Sequence, residues 1–123
     1  MGLKDLIVDE AKLQESTIEK VIKPFVKYSS EGNVIVSPQL KKESAKNQIM
    51  IYLFAKAGSK FVSDGKVGAA ACNEELERKL GLKGGTVRPT VKILREEGFV
   101  LTKDGRHQIS DKAVYWKENV NGV

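Results

Sequence analysis

The stretch KGGTVRPTVKILREEGFV (residues 83–100) sets two glycines and a proline directly ahead of an alternating run of apolar and basic residues. Three residues that oppose helices stand where a helix begins, and the conflict resolves if Thr86 is the N-cap. Pro89 then falls in the first helical turn, where an amide hydrogen has no intrahelical acceptor and its loss costs almost nothing. Gly84 and Gly85 reach positive φ freely and carry no side chain, so the chain can turn sharply there and lie close to a neighbouring surface. At 100° per residue, Val87, Val91 and Leu94 share one inward stripe, while Arg88, Lys92 and Arg95 repeat that spacing one residue later. The reading is a helix from Val87 to about Glu97, ended by Gly98, with a cationic flank fixed to a core-anchored one.

The flanking sequence extends this unit in both directions. Upstream, Asn73 is a preferred N-cap, Glu74 and Glu75 suit the positive end of a helix dipole, and Gly81 follows Leu76 and Leu80 as a stop. That predicts a two-turn helix, with Leu82 turned back toward the core. Downstream, FVLTKDGRHQIS places Asp104-Gly105 between two runs of strand character, the strongest short-range signal for a tight hairpin. Phe99, Leu101 and Ile109 are the candidates for its inward face, Lys103 and Arg106 flank its tip, and His107 is read as a surface residue. A short terminal helix is expected from Ser110 or Asp111, its Tyr115 and Trp116 serving either to cap the core or to anchor a dimer.

Earlier in the chain, SAKNQIMIYLFAKAG has Ser44 as N-cap and apolar residues on nearly every side, the pattern of a helix buried on more than one face. SKFVSDGKVGAAAC then reads as a loop with room for a short strand, and Cys72 within it as a packed rather than reactive thiol. Residues 1–43 read as an N-terminal extension. Leu3, Leu6 and Ile7 have helical spacing, Ser16-Thr17-Ile18-Glu19 has the form of a capping box, and Ile18, Val21, Ile22 and Phe25 continue an apolar stripe that Pro24 should end near Lys23. FVKYSSEGNVIVSP alternates around Gly32-Asn33, as a short hairpin or single strand would.

Helix, loop, helix, tight turn, helix and hairpin together resemble the winged helix-turn-helix DNA-binding domains over roughly residues 44–120, which sets the expected domain at 44–123. TVRPTVKILREEGFV is similar to the T-V-S-R-x-L-x-x-L-x-x-x-G-L-V pattern of bacterial and archaeal transcription regulators. The resemblance implies an α+β, mainly helical fold: a three-helix core plus a β-hairpin wing, with the extension as a separate segment. It further implies that Thr86, Arg88 and Lys92 enter a DNA groove, with Gly85 letting the backbone come close. Lys83 and Arg95 would meet phosphates, and Lys103 and Arg106 would serve the wing. The sequence departs from the pattern at Pro89, where the family carries a polar, often basic reader, and at Ile93, where a polar residue is usual.

Charge distribution agrees with a polyanion partner. The chain carries a net charge of +5 over 123 residues. From Arg78 to Arg106, Arg78, Lys79, Lys83, Arg88, Lys92, Arg95, Lys103 and Arg106 oppose only Glu96, Glu97 and Asp104, an excess equal to that of the whole chain. No apolar run approaches the ~18 residues of a membrane span, and the N-terminal residues are unlike a signal peptide, so a cytoplasmic, membrane-free protein is expected. One cysteine and one histidine cannot assemble the usual zinc site, and no nucleophile-and-base or phosphate-loop motif is present, so neither catalysis nor a cofactor is expected. The function these readings converge on is binding of double-stranded DNA, sequence-specific or general, as a transcription regulator. A homodimer, held by residues 1–43 or the terminal helix, would read two half-sites. The alternative is a winged helix used as a protein or RNA interaction module in a larger assembly.

Overall fold

The reason for the fold's centre lies in one unusually apolar helix. In the computed structural model, which describes residues 10–116, α2 (Ala45–Val62) buries every side chain from Gln48 to Ala55, so elements must pack around it on all sides. Ser44 caps it as expected, its hydroxyl accepting from the Asn47 amide at 3.2 Å. The helix continues through Ser59-Lys60-Phe61-Val62, a segment the sequence assigns to a loop, and ends only at Ser63. Asp64 and Gly65, both at positive φ, then reverse the chain.

The fold is α+β and mostly helical, with two small antiparallel sheets. Helix α1 (Glu10–Ile22) lays Ile18, Val21 and Ile22 on α2. It runs straight through Ser16, so the capping box does not form: Glu, Ala, Lys, Leu and Gln ahead of it are strong helix formers and outweigh the serine's preference for a terminus. Leu3, Leu6 and Ile7 lie outside the described residues. Ahead of Pro24 the helix ends, and β1 (Val26–Tyr28) pairs with β2 (Val34–Val36) across a turn in which Gly32 holds φ +88°. A 3-10 turn (Pro38–Lys42) buries Leu40 completely and delivers the chain to α2. Residues of this N-terminal part, from Ile18 to Leu40, belong to the same buried cluster as the rest of the core.

Two hydroxyls fasten α2 to its neighbours. Tyr28 Oη donates to the Ala55 carbonyl at 2.6 Å, and burial pushes its pKa up to about 12. Tyr52 Oη donates to Glu75 Oε2 at 2.6 Å, tying α2 to α3 (Asn73–Leu80). Burial, then the bond to that carboxylate, raises the Tyr52 pKa far above the usual phenol range.

Helix α4 (Gly84–Glu96) lies against α2 and α3. It begins three residues earlier than the sequence suggests, with Lys83 rather than Thr86 at the cap position. Gly84 and Gly85 are therefore its first two residues, neither has positive φ, and the left-handed turn falls at Gly81 (φ +67°). Pro89 is accordingly the sixth helical residue. The amide it lacks would have met the carbonyl of Gly85, an exposed residue without a side chain, which leaves that carbonyl to water. Val87, Val91 and Leu94 are fully inward, as their spacing requires.

The second sheet has the order β3-β5-β4, formed by β3 (Ala71–Cys72), β4 (Val100–Lys103) and β5 (Arg106–Ile109). Asp104 and Gly105 connect β4 to β5 with φ of 52° and 75°, the positive pair that a two-residue type I′ turn needs. Phe99 and Ile109 are buried, but Leu101 is 54% exposed. It pairs with Gln108 on the outer face, because Val100 takes the inward place opposite Ile109. After β5, the stretch read as a terminal helix opens as a 3-10 turn (Asp111–Tyr115), its part beyond Trp116 lying outside the described residues, and Trp116 closes the core with its ring 5.8 Å from that of Phe54. Tyr115 points outward and is 59% exposed.

Candidate nucleic-acid interface

Helix α4 and the β4–β5 hairpin present the basic residues singled out by sequence. Lys83, Gly85, Arg88, Lys92, Arg95, Lys103 and Arg106 are all exposed, and Thr86 is half-buried. Because Val87, Val91 and Leu94 pin one side of α4 to the core, Arg88, Lys92 and Arg95 are forced onto the adjoining flank. That flank faces the hairpin: Arg95 Nη1 donates to Thr102 Oγ1 on β4 at 3.4 Å. Lys103 and Arg106 are a cross-strand pair at the hairpin's tip, one residue beyond Thr102. Arg95 thus links the basic flank of α4 to the hairpin that carries Lys103 and Arg106.

Acids temper that surface at one end. Lys92 Nζ lies 4.0 Å from Glu96 Oε1, an exposed pair one helical turn apart that contributes little. Glu97 turns the other way and pairs with Lys46 at 2.7 Å, fastening the end of α4 to the start of α2. At the opposite end of α4, Gly84 packs beside Glu77, whose carboxylate would be crowded by any added side chain, whereas nothing lies near Gly85.

Three residues that the sequence reading left out, or placed elsewhere, set the angle between helix and hairpin. His107 is 4% exposed, not a surface residue. Its Nε2 lies 2.7 Å from Asn73 Oδ1, an oxygen that only accepts, so the proton sits on Nε2. Nδ1 is then the acceptor for the Thr102 hydroxyl at 2.8 Å, and Thr102 Oγ1 in turn accepts from Arg95. The chain of donors runs Arg95 to Thr102 to His107 to Asn73, joining α4, both hairpin strands and the first residue of α3. Burial, and secondarily the Arg95 charge, lower the His107 pKa from its ordinary value, favouring the neutral imidazole. Asn73 is consequently not the N-cap of α3; Cys72 occupies that position and the amide side chain serves the imidazole. The signal for this relay was present in the Asp104-Gly105 turn, which fixes Thr102 opposite His107, but not in any residue's type.

Among the described residues no group of three or more His, Cys, Asp or Glu side chains is placed to hold a metal ion, and no helix is long and apolar enough to cross a membrane. No family model, curated protein or solved structure matches the chain.

Proposed function

We propose that α2, α3, α4 and the β3-β5-β4 sheet act as a winged helix-turn-helix that binds double-stranded DNA, as a transcription regulator or other DNA-associated protein. The observation that carries this reading is the joined cationic surface: Arg88, Lys92 and Arg95 on one flank of α4, bridged through Thr102 to Lys103 and Arg106 at the hairpin tip. Duplex DNA carries a phosphate on each strand every ~3.4 Å, and a rigid ridge with a basic hairpin beside it can meet both the groove and its rim. In this arrangement α4 faces the groove and the hairpin serves as the wing.

The test is fluorescence anisotropy of the full chain with a random-sequence duplex over a salt series. Each phosphate neutralised adds about −0.9 to the slope of log affinity against log salt. Arg88→Ala combined with Lys92→Ala should weaken binding and flatten that slope by about one to two. Unchanged affinity and slope in a folded double variant refute groove docking by this flank. Exposed Ile93 and Leu101, with the carboxylates of Glu96 and Glu97 nearby in sequence, favour the second reading of an interaction module for another protein or RNA. Wild-type chain that ignores duplex DNA at low salt would select it.

A further inference from the structure

We infer that the chain holds duplex DNA through its sugar-phosphate backbone and discriminates no more than one base pair by hydrogen bonding along α4. The inference rests on the reading of α4 as the groove-facing helix and decides what kind of duplex it accepts.

The line of α4 directly opposite the buried Val87, Val91 and Leu94 consists of Gly85, Pro89 and Glu96, with Lys92 between it and the basic flank. This line would lie deepest in a groove, and it is poor in groups that read bases. Gly85 has no side chain and faces open space. Pro89 offers a ring without a donor or an acceptor. Lys92 lies beside Glu96, whose side chain is 64% exposed and whose carboxylate would meet repulsion from flanking phosphates. Ile93, 48% exposed next to this line, brings methyl groups and no hydrogen bond.

The flank adds two guanidinium groups, and they are differently engaged. Arg95 is held toward the hairpin by Thr102. Arg88 has no hydrogen-bond or ion-pair partner among the described residues and is exposed in the second turn of α4. It is therefore the one fork-shaped donor free to take guanine O6 and N7 together. A single such pair discriminates by roughly 5- to 150-fold. Sequence-specific DNA-binding proteins distinguish their sites from other DNA by about 10³- to 10⁷-fold, which one reader cannot supply. Of the remaining cations, Lys83, Lys103 and Arg106 lie off this line, at the start of α4 and the hairpin tip, where phosphates are the same in every sequence, and Lys92 is a flexible point charge without the fixed fork of a guanidinium.

Selection of the full chain against a randomised duplex pool tests this. The expected result is retention of the pool at low salt, with at most one fixed G·C pair for each α4 bound. Arg88→Ala should erase that preference and lower affinity for every sequence alike, as loss of one cation does, with the pool still retained at low salt. Enrichment of two or more contiguous fixed positions for each α4 bound overturns the inference while leaving DNA binding intact. A pool that is not retained at all overturns the DNA reading and this inference together, and the two failures are told apart at the binding step, before any sequencing. A further variant, Pro89→Arg, adds a donor on the groove line at an exposed helical site and should create a second preferred base next to the first; no added preference in a folded variant would count against α4 facing the bases.

Discussion

Replacing Gly58 by alanine pits a helix propensity against one tyrosine hydroxyl, and the structure decides the sign. In the middle of a helix, Gly→Ala ordinarily stabilises by about 0.5–1 kcal/mol, since glycine loses more backbone entropy on folding. At Gly58 the added methyl would run into the Tyr28 hydroxyl and lie 3.2 Å from both Ile18 Cγ2 and Tyr28 Cζ. The hydroxyl has to leave the Ala55 carbonyl, which it holds at 2.6 Å, at a cost of about 0.5–1.5 kcal/mol. Displacing the ring and the α1 contact adds about 1–3 kcal/mol of overpacking. The losses exceed the gain, and Gly58→Ala should destabilise by about 1–3 kcal/mol. Urea unfolding followed by circular dichroism measures this, with Tyr28→Phe and the double variant completing a cycle. With the hydroxyl already gone, the alanine should cost about 1 kcal/mol less than in the wild-type background. An alanine variant more stable than wild type, or a cycle with no coupling, would refute the reasoning and with it the docking of β1 against α2.

Two further outcomes follow from the relay beside α4. For His107, the folded pKa lies below 6.5 while the unfolded imidazole titrates near that value, so the unfolded chain binds the extra proton first. The stability this residue contributes is complete above about pH 6.5 and is lost as pH falls through its folded pKa. Unfolding free energies between about pH 5 and 8 should show that slope, with His107→Gln reducing it; since His107 is the chain's one histidine, its NMR titration reads the same event without ambiguity. Thr102→Val keeps the shape but strands the imidazole Nδ1 without a donor, which should cost about 1–2 kcal/mol and release Arg95, whereas Thr102→Ser keeps the hydroxyl and should stay within about 0.5 kcal/mol of wild type. Equal losses for valine and serine would show that packing, not the hydroxyl, holds the strand.

Local chemistry was legible wherever a residue's own backbone demand settled its structure. Ser44 as a cap, Gly81 as a left-handed stop, Asp104-Gly105 as a positive-φ turn and the Val87, Val91 and Leu94 seam could each be read from neighbouring residues alone. The basic flank of α4 was legible for the same reason, since a helix with one side anchored fixes the direction of every other residue. Where two local signals competed, sequence chose wrongly. Thr86 looked the better cap than Lys83, yet α4 starts earlier because its amides find the Lys83 carbonyl, Thr86 at 2.9 Å and Val87 at 3.0 Å. Ser16 looked like a cap, yet the strong helix formers ahead of it carry α1 back to Glu10.

By itself, then, the chain's order of residues determined that α1, α2, α3 and α4 exist, though not where each begins or ends, where the hairpin folds back, and that positive charge gathers between Arg78 and Arg106. Only the tertiary structure decided that His107 is buried, that Asn73 serves it instead of a helix end, and that Arg95 leans on the hairpin. Those facts depend on groups brought together across 34 residues of chain, from Asn73 to His107. A hydrogen bond needs its partners within about 3 Å, and no periodicity along a sequence encodes a distance between residues so far apart in it.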